Sequence, residues 1–306
     1  MCACPFLNQC GGCRFDRTAA NYHEQKLRLL DAIGPHADPI WLDAPRRRAD
    51  FSFTPDRFGF LAPRSRDIVP ITHCDGLMGE INDILPNLAR LPWGASGSAL
   101  VTLCDNGLDL TVTSPTPYFT SEFKRAVAAL PLIRVTWNGT TVIQTTPPTV
   151  TFGGTTVPYP AGAFLQPSHR GADTLRRLVT ERAADARRVA DLFCGLGNFT
   201  FDLHADGFDI VGTGTTRDLF KNPLRARQLN QYDCVVMDPP RAGADAQARE
   251  LAASTVPRVI YVSCNPTTFV RDRDILIRGG YCPRDVIPVD QFPGTAHWEL
   301  VATFDR

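Results

Sequence analysis

The segment Val189-Ala190-Asp191-Leu192-Phe193-Cys194-Gly195-Leu196-Gly197-Asn198-Phe199 constrains this chain more than any other. Its first half is a short apolar run of the kind that forms a strand buried on both faces. Its second half is a glycine-rich turn leading into a helix. Such a turn brings backbone close to a ligand at the carboxyl edge of a parallel sheet, although two glycines after a strand can also do no more than tighten a turn. Further strands are predicted at Asp209 to Gly212, Cys234 to Met237, Val259 to Ser263 and Leu300 to Phe304, and a helix capped near Ser168 runs through Leu175, Leu178 and Val179. Strands alternating with helices from about Ala163 onward imply an α/β, doubly wound, largely parallel sheet.

Upstream the pattern is different. Ala99 to Leu103 and Leu108 to Val112 flank the turn Cys104-Asp105-Asn106-Gly107. Val135-Thr136-Trp137 and Thr140 to Ile143 bracket Asn138-Gly139, and Val150-Thr151-Phe152 and Thr155-Thr156-Val157 bracket Gly153-Gly154. Three hairpins in series predict a mainly antiparallel, β-rich central module. Before it, Tyr22 to Ile33 reads as helical, with Leu27, Leu29, Leu30 and Ile33 as apolar positions that would cap a core. The expected organisation is a cysteine-rich region at 1–80, a central β-rich domain at 81–160 and an α/β domain at 161–306.

Composition narrows the class. At 306 residues and 43% hydrophobic content the chain can bury a substantial core. No apolar run reaches the roughly 18 residues of a membrane span, and Met1 to Cys13 lacks the basic and apolar parts of a secretory signal. The expected location is cytoplasmic, with no membrane partner and a monomeric state. Ten cysteines in so large a chain favour metal binding or catalysis over a disulfide scaffold. The formal net charge is zero, so any nucleic-acid surface must be local. Arginine far outnumbers lysine, which suits phosphate recognition, but a biased genome would produce the same preference.

Three further motifs follow predicted strands. Asp238-Pro239-Pro240-Arg241 places a carboxylate and a guanidinium at a strand end, where a base edge could be read; the alternative is a strand terminated by prolines. Ser263-Cys264-Asn265-Pro266 puts a cysteine in a polar, turn-forming context, which argues for access rather than for inert core. A thiolate is the best side-chain nucleophile for an electron-poor ring carbon. Phe292-Pro293-Gly294-Thr295-Ala296-His297-Trp298-Glu299 supplies a candidate general base before the last strand.

These four motifs in this order resemble the RNA uracil-5-methyltransferase family, a class I S-adenosylmethionine-dependent group with a Rossmann-like domain, and Phe164-Leu165-Gln166 resembles the family's Phe-Gln motif. The resemblance runs from about Gln166 to the end. It implies that Cys264 adds to C6 of a uracil, that C5 then takes the cofactor's methyl group, and that Glu299 removes the C5 proton. Asp238, Arg241 and Gln166 would hold the base. Gln166, Phe193, Gly195, Asn198, Asp218 and Asp238 would hold the cofactor. The base must leave its stack to reach the cysteine.

Cys4, Cys10 and Cys13 have the C-x5-C-x2-C spacing of the branch acting on large-subunit ribosomal RNA, and Cys74 resembles its distant fourth ligand. That implies a 4Fe–4S cluster, with structural zinc as the alternative and Cys2 as an unneeded neighbour. The absence of an N-terminal oligonucleotide-binding (TRAM) barrel resembles the shorter branch, whose partner is 23S rRNA. Transfer RNA is the alternative target. Arg46-Arg47-Arg48 resembles the family's basic segment, with Arg47 a candidate phosphate contact; a solvated charge run is the plain alternative.

One departure stands out. Gly214 occupies the position at which the family's second strand ends in a ribose-binding acid, and roughly a helix with its connections is missing before Arg217-Asp218-Leu219-Phe220. Asp218 is a neighbouring carboxylate that could compensate. An impaired or non-catalytic RNA-binding or ribosome-assembly factor is therefore the second reading. A third is a DNA or protein methyltransferase, whose amine chemistry would not need Cys264.

Overall fold

In a computed structural model that describes residues 4–306, two large sheets divide the chain. The C-terminal sheet has eight strands in the order Ile40–Trp41, Cys282–Asp290, Glu299–Asp305, Arg258–Ser263, Cys234–Met237, Val189–Leu192, Asp206–Asp209, Thr215–Thr216. All neighbours are parallel except Glu299–Asp305, which runs against both of its own.

The short apolar strands are buried on both faces, and alternation separates their side chains into two cores. Ala190, Leu192, Val235, Met237, Val259 and Tyr261 pack on one side with Leu251, Phe269 and Leu276. Val189, Cys234, Val236, Ile260 and Val262 pack on the other with Leu175, Leu178 and Val179 of the helix His169–Arg182. Ser168 caps that helix, accepting the Gly171 N–H, as the sequence predicts.

The second sheet has seven strands between Arg48 and Gln144, covered by the helices Gly79–Leu88 and Ser121–Val127. All three predicted hairpins form. Asn138-Gly139 and Gly153-Gly154 adopt positive φ at both turn residues, which matches the right-handed twist of the strands they join. One pair in this sheet, Gly107–Thr113 with Leu132–Trp137, is parallel. Its first strands, Arg48–Thr54, Arg57–Leu61 and Ile68–Pro70, lie before residue 80, so the sheet crosses the division expected there.

The predicted helical run at 22–33 is a short α-helix, Tyr22–Leu27, that tightens into a 3-10 turn over Arg28–Ile33; Leu30 and Ile33 are buried in the C-terminal core. Among the described residues no helix is long and apolar enough to cross a membrane.

The predicted strand Asp209 to Gly212 is corrected. The strand is Asp206–Asp209, three residues earlier, and 210–214 is a loop. Parallel neighbours ordinarily need a crossover of a dozen or more residues. Between Asp209 and Thr215 there is no room for a helix, and Thr215–Thr216 pairs directly with Phe208–Asp209.

Lys26 and Asp290 form an ion pair with both side chains out of solvent, joining the N-terminal helix to the end of Cys282–Asp290. Removing one partner of such a pair strands the other charge. Lys26→Met is expected to lower the unfolding free energy by about 3–5 kcal/mol in urea denaturation, with much of the loss recovered in the Lys26→Met, Asp290→Leu double variant.

Candidate active site

The strand ends converge on one cavity of about 580 Å³ at the carboxyl edge of the parallel strands. Its lining includes Gln166, Phe193, Gly195, Asn198, Asp209, Asp238, Arg241, Cys264, His297 and Glu299. Eight of the residues singled out in the sequence are thereby brought together from five separate motifs.

Register explains the pairing at the floor. Glu299–Asp305 runs antiparallel to Arg258–Ser263, with Ser263 opposite Leu300. Continuing that register by one residue sets Cys264 opposite Glu299, and side chains so opposed have Cβ atoms roughly 4.5–5.5 Å apart. Cys264 is half-buried and Glu299 almost wholly buried.

The glycine-rich turn follows Leu192. Phe193 is held at φ +62°, a costly conformation for a bulky residue, and Gly195 follows at φ +52°. This turn carries the Gly195 N–H to the Asp209 carboxylate at 2.9 Å. Both polar atoms of the Asn198 side chain are buried without a partner at the cavity wall. Unmatched donors and acceptors, a flexible glycine and a strand-end carboxylate fit a polar ligand such as S-adenosylmethionine.

The electrostatics are those of crowded acids. Burial pushes Glu299 up to about 8. Asp238 is raised well above the usual carboxylate range by burial and then by Glu299, Asp191 and Asp209. Burial pushes Asp191, on the strand behind, up to about 7. The Cys264 thiol goes up to about 12, through burial first and the charges of Glu299 and Asp238 second, with Arg241 opposing. The resting sulfur therefore carries its proton. Burial, Arg241 and Lys26 lower His297, leaving it neutral.

A line of amides connects the two carboxylates. Gln166 Nε2 donates to Asp238 Oδ2 at 3.2 Å, and Gln291 Nε2 donates to Gln166 Oε1 at 2.9 Å and to Glu299 Oε2 at 2.7 Å. Sequence reading missed Gln291 and Asp209. Gln291 stands directly before the Phe292-Pro293-Gly294 motif, and its only sequence signal was a polar residue following an apolar strand.

Two singled-out residues are placed elsewhere. Arg47 is buried, donating from Nε to the Gln166 carbonyl at 3.1 Å and facing His169 Nδ1 at 3.1 Å. Arg48 donates to the Leu165 carbonyl at 3.2 Å and lies over the Phe164 ring. Both arginines of the strand start thus brace the segment that carries Gln166. Asp218 does not line the cavity; it accepts from the Phe220 and Lys221 N–H groups and pairs with Lys221. Gly214 does not line the cavity either, and a Cβ there would stand 2.4 Å from the Gly207 carbonyl and 2.9 Å from the Cys194 sulfur. Asp209 is the carboxylate that ends the second strand.

Cys10 is buried, and Cys4, Cys13 and Cys74 are half-buried; Cys2 lies outside the described residues. Burial raises the Cys13 thiol, with Arg46 acting against it and nearby Cys74 and Cys10 adding to it. Among the described residues no group of three or more His, Cys, Asp or Glu side chains is gathered closely enough to hold a metal ion.

Residues 214–305 match the family profile described as tRNA (Uracil-5-)-methyltransferase. An uncharacterised RNA methyltransferase of Brucella melitensis is 33% identical, over 99% of this chain and 84% of its own. That alignment runs over 354 positions against a chain of 306 residues, so the relative carries residues with no counterpart here. The 23S rRNA (uracil(1939)-C(5))-methyltransferase RlmD of Vibrio parahaemolyticus is 28% identical over 99% of this chain and 81% of its own. Among solved structures, the Pyrococcus abyssi tRNA (uracil-54, C5)-methyltransferase with S-adenosyl-L-homocysteine has the same fold, with a TM-score of 0.73 at 19% identity over 98% of this chain and 86% of that one. With a strand-end cysteine, an opposed glutamate and a glycine-rich cofactor turn in one cavity, and with these relatives, the chain belongs to the class I S-adenosylmethionine-dependent RNA (uracil-5-)-methyltransferase family and is a methyltransferase enzyme.

Proposed function

We propose that this enzyme methylates C5 of a uridine through a covalent bond between Cys264 and C6. The observation that carries the reading is the register that sets Cys264 opposite Glu299, a spacing suited to the adjacent C6 and C5 of one pyrimidine. Asp238 and Gln166 present their polar atoms to the base edge, and Arg241 adds a cation at the mouth. Uracil C5 is too weak a nucleophile until sulfur has added next door, so covalent catalysis divides one hard step into two.

The sulfur gives its proton to solvent as it bonds to C6, and the C5–C6 electron pair moves to an enolate across C5 and O4. S-adenosylmethionine, when bound, supplies an electrophilic methyl group on sulfonium. Glu299 in its ionised form takes the C5 proton, and the sulfur leaves C6 as the ring double bond returns. Phe193, Gly195, Asn198 and Asp238 would hold the cofactor. Asp209 takes the ribose-anchoring place at the strand end that Gly214 cannot fill. Loss of a carboxylate that accepts charge-assisted hydrogen bonds removes about 1.5–3 kcal/mol. Asp209→Ala is thus expected to weaken S-adenosylmethionine binding roughly tenfold to a hundredfold in calorimetry.

For the target, the matched profile is named for transfer RNA and covers most of the catalytic segment, which supports transfer RNA first. The Vibrio relative and the cysteine spacing support 23S rRNA second. Nucleoside mass spectrometry of both RNA pools, from cells with and without the gene, is expected to show loss of 5-methyluridine from one of them. Complementation with Cys264→Ala is expected not to restore it. Unchanged 5-methyluridine in both pools would sink the assignment.

Cys4, Cys10, Cys13 and Cys74 are proposed to hold a 4Fe–4S cluster, supported by their family spacing. The thiols would have to close together around it. Anaerobically purified protein is expected to contain iron and acid-labile sulfide, both lost in Cys13→Ser. Zinc without sulfide would select the structural-metal alternative.

A further inference from the structure

We infer that Gln291 is a positioning residue: one buried amide nitrogen, shared between Glu299 and Gln166, favours the ionised form of the base and fixes which way the Gln166 amide faces. The inference rests on the proposed reaction for its effect on rate. Its structural part stands on geometry alone.

Gln291 is wholly buried immediately after Cys282–Asp290, and its Nε2 donates to Glu299 Oε2 at 2.7 Å and to Gln166 Oε1 at 2.9 Å. An amide has a donor end and an acceptor end, so this sharing propagates a direction. With Gln166 Oε1 engaged by Gln291, Gln166 Nε2 must turn to Asp238, where it donates at 3.2 Å. Reversing Gln291 would aim its oxygen at the Glu299 carboxylate. Reversing Gln166 would bring two N–H groups together and offer Asp238 an acceptor.

The oxygen of Gln291 is buried with no partner. A buried acceptor left unmatched is unfavourable, and it is tolerated here by a gap in the neighbouring helix. A Cβ at Gly171, in the first turn of His169–Arg182, would stand 2.3 Å from that oxygen. The glycine thus makes room for the amide in the orientation that serves both partners.

The surroundings of Glu299 show what the amide does. Asp238 and Cys264 face it from the ends of two neighbouring strands, Asp191 and Asp209 add negative charge behind Asp238, and Arg217, Arg241 and the neutral His297 complete the lining. Burial drives Glu299 towards its neutral form, and the Gln291 hydrogen bond is what works against it. Without that donor the carboxylate must hold its charge unsupported, and its titration moves to higher pH.

The test uses the full-length chain as Gln291→Met, which keeps the volume and removes the amide, Gln291→Glu, which keeps the shape and replaces the donor, and Gly171→Ala, which crowds the amide from outside. Carbon-13 NMR of side-chain-labelled glutamate follows the Glu299 titration, identified by its loss in Glu299→Gln. Single-turnover methyl transfer to uridine-containing RNA is followed against pH in parallel.

The Glu299 titration is expected to rise by about one pH unit in Gln291→Met, further in Gln291→Glu and less in Gly171→Ala. Methyl transfer at neutral pH should fall about tenfold in Gln291→Met and be regained as pH is raised. A Glu299 titration unchanged in the folded variants overturns the inference. If Gln291→Met fails to fold, Gln291→Glu and Gly171→Ala decide it by the same measurement. Should the wild-type protein methylate no uridine, the proposed function fails, while the titration still settles the role of Gln291.

Discussion

The buried ion pair between Lys26 and Asp290 is the contact on which the active-site loop depends. Lys26 is wholly out of solvent and also donates to the carbonyls of Phe292, at 3.3 Å, and His297, at 3.0 Å, while its ammonium lies 4.7 Å from the Trp298 ring. Burial lowers its pKa and Asp290 opposes that shift. Tyr22 donates to the other Asp290 oxygen and accepts from the Gly294 N–H. Taking two charges out of water is costly, and here the cost is offset by a nearly complete set of hydrogen bonds. A helix near the start of the chain thereby holds the residues between Asp290 and Glu299 in place. The same loop receives the N–H groups of Arg14 and Phe15 at the Gly294 carbonyl, so the cysteine-rich region rests directly on it.

The site gathers acids and offers them little compensating charge. Asp191, Asp238 and Glu299 are all raised, with Arg217 and Arg241 the cations of the cavity lining. Burial first, and the neighbouring carboxylates second, keep the Cys264 thiol protonated at rest, and burial makes Glu299 hold its proton into the neutral range. Titratable groups displaced so far, and placed against a strained glycine-rich turn, characterise a reactive centre more than a structural one. The decay of an enzyme released from its task would not be expected to preserve such an arrangement.

The shortened region shows how a parallel sheet absorbs a missing crossover. The second strand ends at Asp209, and the loop after it folds back so that the Thr213 N–H reaches the Gly195 carbonyl. Gly212 is essential to that approach, since a Cβ there would stand 1.7 Å from the Gly195 oxygen. Ile210, Val211 and Phe220 are exposed around the cavity edge. Asp209, at the end of its strand, brings a carboxylate to the cavity wall.

Local chemistry made much of this protein legible from its sequence. The hairpins at Asn138-Gly139 and Gly153-Gly154, the Ser168 cap and the buried strands depend on neighbours within a few residues, and they fold as their local preferences dictate. The motifs at 191–199, 238–241, 263–266 and 292–299 were legible as strand-end chemistry, and the sheet brought them together. Tertiary structure alone decided the rest. Arg47 is a brace because the Gln166 segment lies against it, Asp209 lines the cavity because its strand ends there, and Gln291 joins the base to the Phe-Gln motif across 125 residues. These depend on register between distant strands and on where a shortened loop can close. A pattern read residue by residue along the chain carries no information on either.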